Sequence, residues 1–268
     1  ISFTLVDAAG GAGSKTRYLH CGGAANPGNT RKSDIQYVTY STEGNTADFG
    51  DMTDEKRGMS SSSNNTRALN FGGRDDPANL NIIDYVTIDT LGNAADFGDL
   101  SAVTNSGSSV SNNTRALFAG GRPSSTSVNE IQYVTISSVG NAADFGDLLA
   151  ILEQQTRACS TTRALYAGGS DTSPGNPINV IQYLTFATTG NATDFGDLTI
   201  ARGQIGDAGS SNTVRGVFGS GQTPTGINVL DYVTIASTGD ATDFGDIIPT
   251  RGYRPSASSN GHGGLVGG

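Results

Sequence analysis

The side chains able to do chemistry in this chain recur as a set. An arginine stands at Arg17, Arg67, Arg115, Arg163 and Arg215, and a carboxylate pair follows each: Asp48 and Asp51, Asp96 and Asp99, Asp144 and Asp147, Asp194 and Asp197, Asp243 and Asp246. A guanidinium and a carboxylate match as a bidentate fork. The spacing therefore predicts a hydrogen-bonded Arg-to-Asp pair once per repeat, within or between repeats. An enzyme site is seldom built five times in one chain, so a structural role is expected for Arg17, Arg67, Arg115, Arg163 and Arg215 with Asp48, Asp96, Asp144, Asp194 and Asp243. A degenerate sixth copy, GHGGLVGG at 261 to 268, has His262 at the Arg position and no DFGD after it, so both partners are lost together. Cation binding is the other chemistry open to these carboxylates, with NAxDFGD supplying hard oxygens of the kind Ca²⁺ takes. The motif is poorer in carboxylates than a dedicated calcium loop, and no metal or cofactor is assigned.

Other reactive groups point nowhere in common. The five DFG triplets carry the letters of the kinase magnesium motif, but no glycine-rich loop, strand lysine or HRD accompanies them. Cys21 and Cys159 sit at different places in the repeat and read as small apolar packing residues rather than a disulfide or nucleophile. His20 and Cys21 are neighbours on a strand and point to opposite faces. The sequons at Asn64, Asn112 and Asn191 recur because the repeat recurs. No catalytic residue is assigned, and the chain is not expected to be an enzyme.

Composition narrows the partners. With 25 acidic against 16 basic residues the net charge is −9, which excludes a basic nucleic-acid binder. No run approaches the roughly 20 apolar residues of a membrane helix, so a soluble protein without membrane insertion is expected. Glycine fills 38 of 268 positions and charged residues only 15%, a profile of β-structure with many tight turns. The chain begins at Ile1 without Met or a leader, which suggests processing or a fragment of something longer.

The elements that must hold these groups come from the repeat. IQYVTISSVGNAADFGDL (131 to 148) returns at 35, 83, 181 and 230, with Tyr37, Tyr85, Tyr133, Tyr183 and Tyr232 spaced by 48, 48, 50 and 49. A second motif precedes each: TRYLHCGG, TRALNFGG, TRALFAGG, TRALYAGG and VRGVFGSG. One period predicts four short strands. Strand a is the Ser-rich stretch (107 to 111 in the third copy), b is RALFAGG, c is IQYVTIS and d is ADFGDL. The c strand is apolar, β-branched or aromatic on both faces, as in a sheet packed between two others. Gly-Asn or Gly-Asp before d marks a c-to-d hairpin. Four-stranded units at about 50 residues, with Gly-Gly ending the second strand, predict a β-propeller.

The Gly-Gly after strand b, the Tyr in c and the aromatic in d resemble kelch repeats of the galactose-oxidase type of propeller, with Phe where that family usually has Trp. The extra DFGD, the degenerate Arg-Ser-Gly before strand a and the lack of Trp depart from it, and the Tyr and His ligands of a copper site are not clustered here. The wording RALFAGG followed by DYVTIxSxGNAxDFGDL is also similar to repeats in structural and tail-associated proteins of marine bacteriophages. The resulting expectation is an all-β, kelch-like β-propeller spanning 1–268 as a single domain. Its repeats are 8–52, 57–100, 105–148, 155–198 and 203–247, with a sixth blade stitched from 251–268 and 1–7 and five or seven blades as alternatives.

In such a blade the a-to-b and c-to-d turns share one end, and the b-to-c and d-to-a connections the other. The first set is nearly constant among copies. The b-to-c loops (24–34, 74–82, 122–130, 170–180 and 222–229) all differ. Connections held by a rigid frame carry recognition, so the expected ligand contacts are Asn26, Asn29, Arg31, Lys32, Arg74, Asp75, Asp76, Asn79, Arg122, Asn129, Asp171, Asn176 and Asn228, with Tyr253 and Arg254 from the last d-to-a loop. Their polar character suits sugar hydroxyls or a polar protein surface. The expected function is a non-catalytic recognition or structural module, a phage virion or tail component, extracellular or virion-borne, whose partners are a host-surface glycan or protein and other virion proteins. A carbohydrate-active enzyme at a central channel and a purely architectural spacer are the rivals.

Overall fold

The computed structural model describes residues 6–7, 10–14, 16–25, 30–171, 176–203, 209–251, 256–259 and 264–267, with side chains between Ala12 and Ile247. Each repeat folds as an antiparallel meander in the order a-b-c-d. In the third these strands are Ser108–Ser111, Arg115–Ala119, Glu130–Thr135 and Ala143–Asp147. In the fourth they are Thr156–Cys159, Arg163–Ala167, Ile178–Thr185 and Thr193–Arg202. The chain is all-β, a β-propeller of five blades, each built on strands a to d, with one further short strand in each of the first two sheets. Its residues group into two compact units, Ile1–Phe118 with Gln132–Ala143, and Ala119–Ile131 with Asp144–Gly268.

The ends behave differently from expectation. Val6–Asp7 pair with Ala24 and Ala25 of the first blade rather than contributing to a sixth. The physical reason is the nine-residue b strand Arg17–Ala25, whose outer edge is covered by Gly10–Gly13 only as far as Cys21. The remaining edge would otherwise present unpaired backbone. At the other end, Ser256–Ser259 and Gly264–Gly267 form a two-stranded sheet. Residues 1–5 lie outside the described part.

The DFGD motif is a β-bulge. Gln36 faces Asp48 and Ile35 faces Gly50, so Phe49 is the extra residue, and the same shift recurs at Phe97 and Phe195. A bulge re-aims one side chain, and here it drives each Phe into the space between blades, where Phe49, Phe97, Phe145 and Phe195 are 2% exposed. In the first unit Phe49, Leu19, Ile35 and Met52 pack against Ala68, Val86 and Ile88 of the next blade, and in the second Phe195, Leu165 and Ile181 pack against Phe218, Val233 and Ile235. Burying one such ring contributes about 2 kcal/mol.

The following blade's Gly-Asn turn closes over the bulge. Gly92 N donates to Phe49 O at 2.8 Å, Asp51 N to Asn93 Oδ1 at 3.0 Å, and Ala94 N to Asp51 O at 2.7 Å. The triplet repeats as Gly140, Asn141 and Ala142 on Phe97 and Asp99, as Gly190, Asn191 and Ala192 on Phe145 and Asp147, and as Gly239, Asp240 and Ala241 on Phe195 and Asp197. The approach is so close that a Cβ on Gly146 would lie 2.4 Å from Gly190 O, at a backbone φ of +144° that already favours glycine.

The repeated arginines do not form the predicted fork with aspartate. Arg17, Arg67 and Arg163 donate through Nη1 to the carbonyls of Ile88, Ile136 and Ile235, each at the end of a following blade's c strand, at 2.8, 2.8 and 3.0 Å. All five guanidinium groups, including those of Arg115 and Arg215, lie 4.6 to 5.0 Å from the ring centre of the Tyr in their own c strand, a cation-over-ring contact. Asp48, Asp96, Asp144, Asp194 and Asp243 are exposed, and two of them brace their own bulge: Asp96 Oδ1 accepts from Gly98 N at 3.0 Å and Asp243 Oδ1 from Gly245 N at 2.9 Å. Separating the two charges suits the geometry, because the bulge turns Phe inward and leaves its flanking carboxylates outward.

Gly146→Ala is expected to lower stability by about 3 kcal/mol, clash added to strain, whereas Gly140→Ala, whose Cβ would meet nothing within 4 Å, costs about 1 kcal/mol. Urea unfolding midpoints of the two variants measure the difference.

Candidate functional site

The variable loops stand where the meander puts them. The d-to-a connection of one blade bridges to the b-to-c loop of the next at Arg57 with Arg74, Glu153 with Ser170 and Gly203 with Gln222. These backbone bridges bring both kinds of connection to one end of the sheets, within each unit. The Gly-Asn latches occupy the other end.

In the first unit the b-to-c loops of blades one and two meet in a charged cluster. Arg31 sits on the c strand of blade one opposite Ala24, and Lys32 opposite Gly23. Arg74 and Asp75 form a two-residue strand that folds back on Ala78 and Asn79 across the Asp76-Pro77 turn. Asp76 thereby reaches three arginines. It is ion-paired with Arg31 and with Arg74, and Arg57 Nη2 lies 2.9 Å from its Oδ2. Asp75 faces Arg31 Nε at 3.8 Å. Burial would raise the Asp76 pKa, but the hydrogen bond from Arg31 and the charges of Arg57, Arg74 and Arg31 outweigh it and hold the carboxyl below the ordinary aspartate value. Three guanidinium groups against two carboxylates leave the cluster one positive charge, on a chain whose net charge is −9.

The other expected contacts are more dispersed. Asn79 Oδ1 accepts from Asn105 Nδ2 at 2.6 Å. Arg122 lies 3.9 Å from the buried Glu153. Asn129 gives its carbonyl to Leu148 N at 2.8 Å, and Asp171 Oδ1 receives Asn176 N at 2.9 Å, closing the neck of the fourth loop. Asn228 is half-buried on a c strand, and Lys32 and Asn176 are exposed. Asn26, Asn29, Tyr253 and Arg254 lie outside the described residues. Among the described residues no three His, Cys, Asp or Glu side chains come together as metal ligands. Burial pushes the Cys21 thiol up to about 12, with Asp84 adding to the shift, so it is not a nucleophile near neutral pH.

Sequence reasoning missed Arg57 and Glu153, which come from d-to-a connections rather than the b-to-c loops. The signal was there for Arg57, which ends the charged run Asp54-Glu55-Lys56-Arg57 in a chain otherwise poor in charge. It also missed two buried ion pairs beneath the loops. Lys56 Nζ lies 2.8 Å from Asp84 Oδ2, both fully buried, and Asp84 further accepts from Asn70 and Thr53. Arg202 pairs with Asp231 and donates to Val229 O; burial lowers its pKa to about 10, which keeps it charged at neutral pH. Lys56 and Arg202 stand five residues after Asp51 and Asp197. The same place after Asp99 and Asp147 holds Thr104 and Leu152, and there the next c strand offers Gln132 and Gln182 in place of an aspartate. Those glutamines accept from Ser101 N and Leu149 N at 2.7 and 2.8 Å. A buried charge is thus present only where its partner is.

These features define a β-propeller in which, within each unit, the divergent polar loops lie at the b-to-c end of the blades. No protein-family model matches the chain, and no curated protein matches it in sequence.

Asp76→Asn is expected to cost about 1–2 kcal/mol near neutral pH, because three arginines then face one another around an uncharged amide. Since the Asp76 pKa is lowered on folding, its contribution is complete above the ordinary aspartate range and is lost as pH falls through the lowered native value. Thermal unfolding of both proteins from pH 7 to pH 2 therefore shows a gap that closes at the acid end.

Proposed function

We propose that the protein is a non-catalytic recognition module that binds a host-surface glycan or protein through its b-to-c loops, as a kelch-like, virion- or tail-associated component of a bacteriophage. One observation carries the binding half of this reading. The five b-to-c loops differ in every copy, while the c-to-d turns at the opposite end repeat, and four of the five are consumed in holding blade to blade. Drift alone would loosen both ends. The loops, together with Arg57 of the adjoining d-to-a connection, offer paired arginines and aspartates at Arg31, Arg74 and Asp76 with amides around them, donors and acceptors in the mixture that sugar hydroxyls and polar protein surfaces take. The viral half is supported by the wording of the repeat, RALFAGG with DYVTIxSxGNAxDFGDL, and the kelch-like half by the Gly-Gly, Tyr and aromatic marks of each copy. Such a protein works on the virion or outside the cell.

The test is retention of the purified protein on a glycan array and on bacterial envelope preparations. Binding is expected for the parent and for Thr189→Ala in a c-to-d turn. A protein whose 122–130 loop is replaced by its own 222–229 loop should bind at least tenfold more weakly. Retention by neither surface, or equal binding by the loop graft, would remove the proposal.

A further inference from the structure

The arginine cluster of the first unit is built beyond what an ion pair needs. One guanidinium would balance Asp76. Three converge on it against their mutual repulsion, and they stay partly open to solvent, the side chains of Arg31, Arg57 and Arg74 being 22%, 23% and 43% exposed. The blade frame does not require them. The loops 170–180 and 222–229 hold no arginine, yet each forms the same backbone bridge to its d-to-a connection, Glu153 with Ser170 and Gly203 with Gln222.

Within the cluster the donors are unevenly used. Arg31 and Arg57 both meet Oδ2 of Asp76, whereas Arg74 meets Oδ1 through Nε. Asp75 lies beside Arg31. Arg74 is therefore held by its Nε edge, and among the described residues its Nη1 and Nη2 have no partner. Its backbone is tied on both sides. Arg57 N donates to Arg74 O at 3.1 Å and Arg74 N to Arg57 O at 2.8 Å, while Asn79 pairs with it across the turn. The guanidinium is thus oriented before any ligand arrives, and the most exposed member of the cluster keeps an open pair of N–H groups. Two parallel N–H groups on a planar cation match a carboxylate as a fork, and fixing them in advance lowers the ordering cost of binding.

We infer that Arg74, braced by Asp76, receives the carboxylate of an acidic sugar, so that the glycan taken by the b-to-c loops is one bearing uronic or other carboxylated residues. This rests on the recognition reading above and narrows it. The cluster's single spare positive charge suits acids spaced along a glycan rather than a dense polyanion. At physiological ionic strength a charge is felt over about 8 Å, and beyond that reach the ligand meets a chain of net charge −9. An acidic protein side chain offers the same carboxylate, but protein partners are anchored on buried aromatic and apolar groups, and among the described residues of 24–34 and 74–82 no large apolar side chain is exposed.

The probes are oligosaccharides of glucuronate, galacturonate, mannuronate and a nonulosonic acid on the glycan array, with protease-treated bacterial envelopes beside them, each presented before and after carboxyl reduction to the neutral form. At least one of these surfaces is expected to retain the protein and to lose at least tenfold in affinity on carboxyl reduction, a readout that needs no variant. Arg74→Lys keeps the charge without the fork and Arg74→Gln keeps neither; both should weaken retention of that surface at least tenfold with an unchanged circular dichroism spectrum. Retention that survives carboxyl reduction, retention confined to neutral glycans, or equal retention of the parent and both variants would overturn the carboxylate site while leaving the loops as a recognition surface. Retention only by envelopes whose protein is intact would overturn the choice of a glycan. Retention by no glycan and no envelope would remove the recognition reading itself, and this inference with it.

Discussion

Backbone meets backbone where a Gly-Asn turn closes on the bulged phenylalanine of the preceding blade, and the rest of the molecule is organised by that contact. The turn's glycine amide, its Asn or Asp side chain and the following alanine amide bind three consecutive places on the DFGD bulge. Neither side tolerates a Cβ at the bulge glycine, so the spacing between blades is set by main-chain atoms instead of by side-chain volume. The phenylalanine that the bulge turns inward then seals the apolar layer beneath. The arginine of strand b, stacked on its own tyrosine and bonded to the next blade's carbonyl, fastens the same end of the sheet at a second point.

With that end of the first four blades committed to holding the next, the opposite end is left to vary. The b-to-c loops there rest on the d-to-a connections through backbone bridges, which specify position without specifying side chains. Beneath them the interior adapts blade by blade. Where a connection offers Lys56 or Arg202, the next c strand answers with Asp84 or Asp231; where it offers Thr104 or Leu152, glutamine suffices. A buried carboxylate without its cation would be strongly destabilising, and this explains why the two positions change together within a single chain.

Much of this was legible in the residues. Strand positions followed from alternation and from Gly-Gly and Gly-Asn punctuation, and the third-copy strands fall within a residue or two of where they were expected. What the arginine binds was not legible. Charge complementarity pointed to the aspartates, but the bulge at Phe49 and its copies turns those carboxylates outward, and a one-residue register shift cannot be seen in a sequence. The N-terminal share of the sixth blade differs for a related reason: edge coverage of the long strand Arg17–Ala25 decided where Val6–Asp7 pairs, and strand length beyond Gly-Gly was not predicted. At the candidate site Arg31, Arg74, Asp75 and Asp76 were found from loop divergence alone, while Arg57 was hidden because it belongs to the other class of connection.

Amide hydrogen exchange followed residue by residue reads the central contact directly. The account predicts that the turn amides of Gly92, Gly140, Gly190 and Gly239 exchange slowly, as donors to the bulge carbonyls, while that of Gly44, in a turn of the same kind that donates to no bulge carbonyl among the described residues, exchanges at close to the rate of an unprotected peptide. Equal protection of all five, or rapid exchange at the four docked turns, would contradict it.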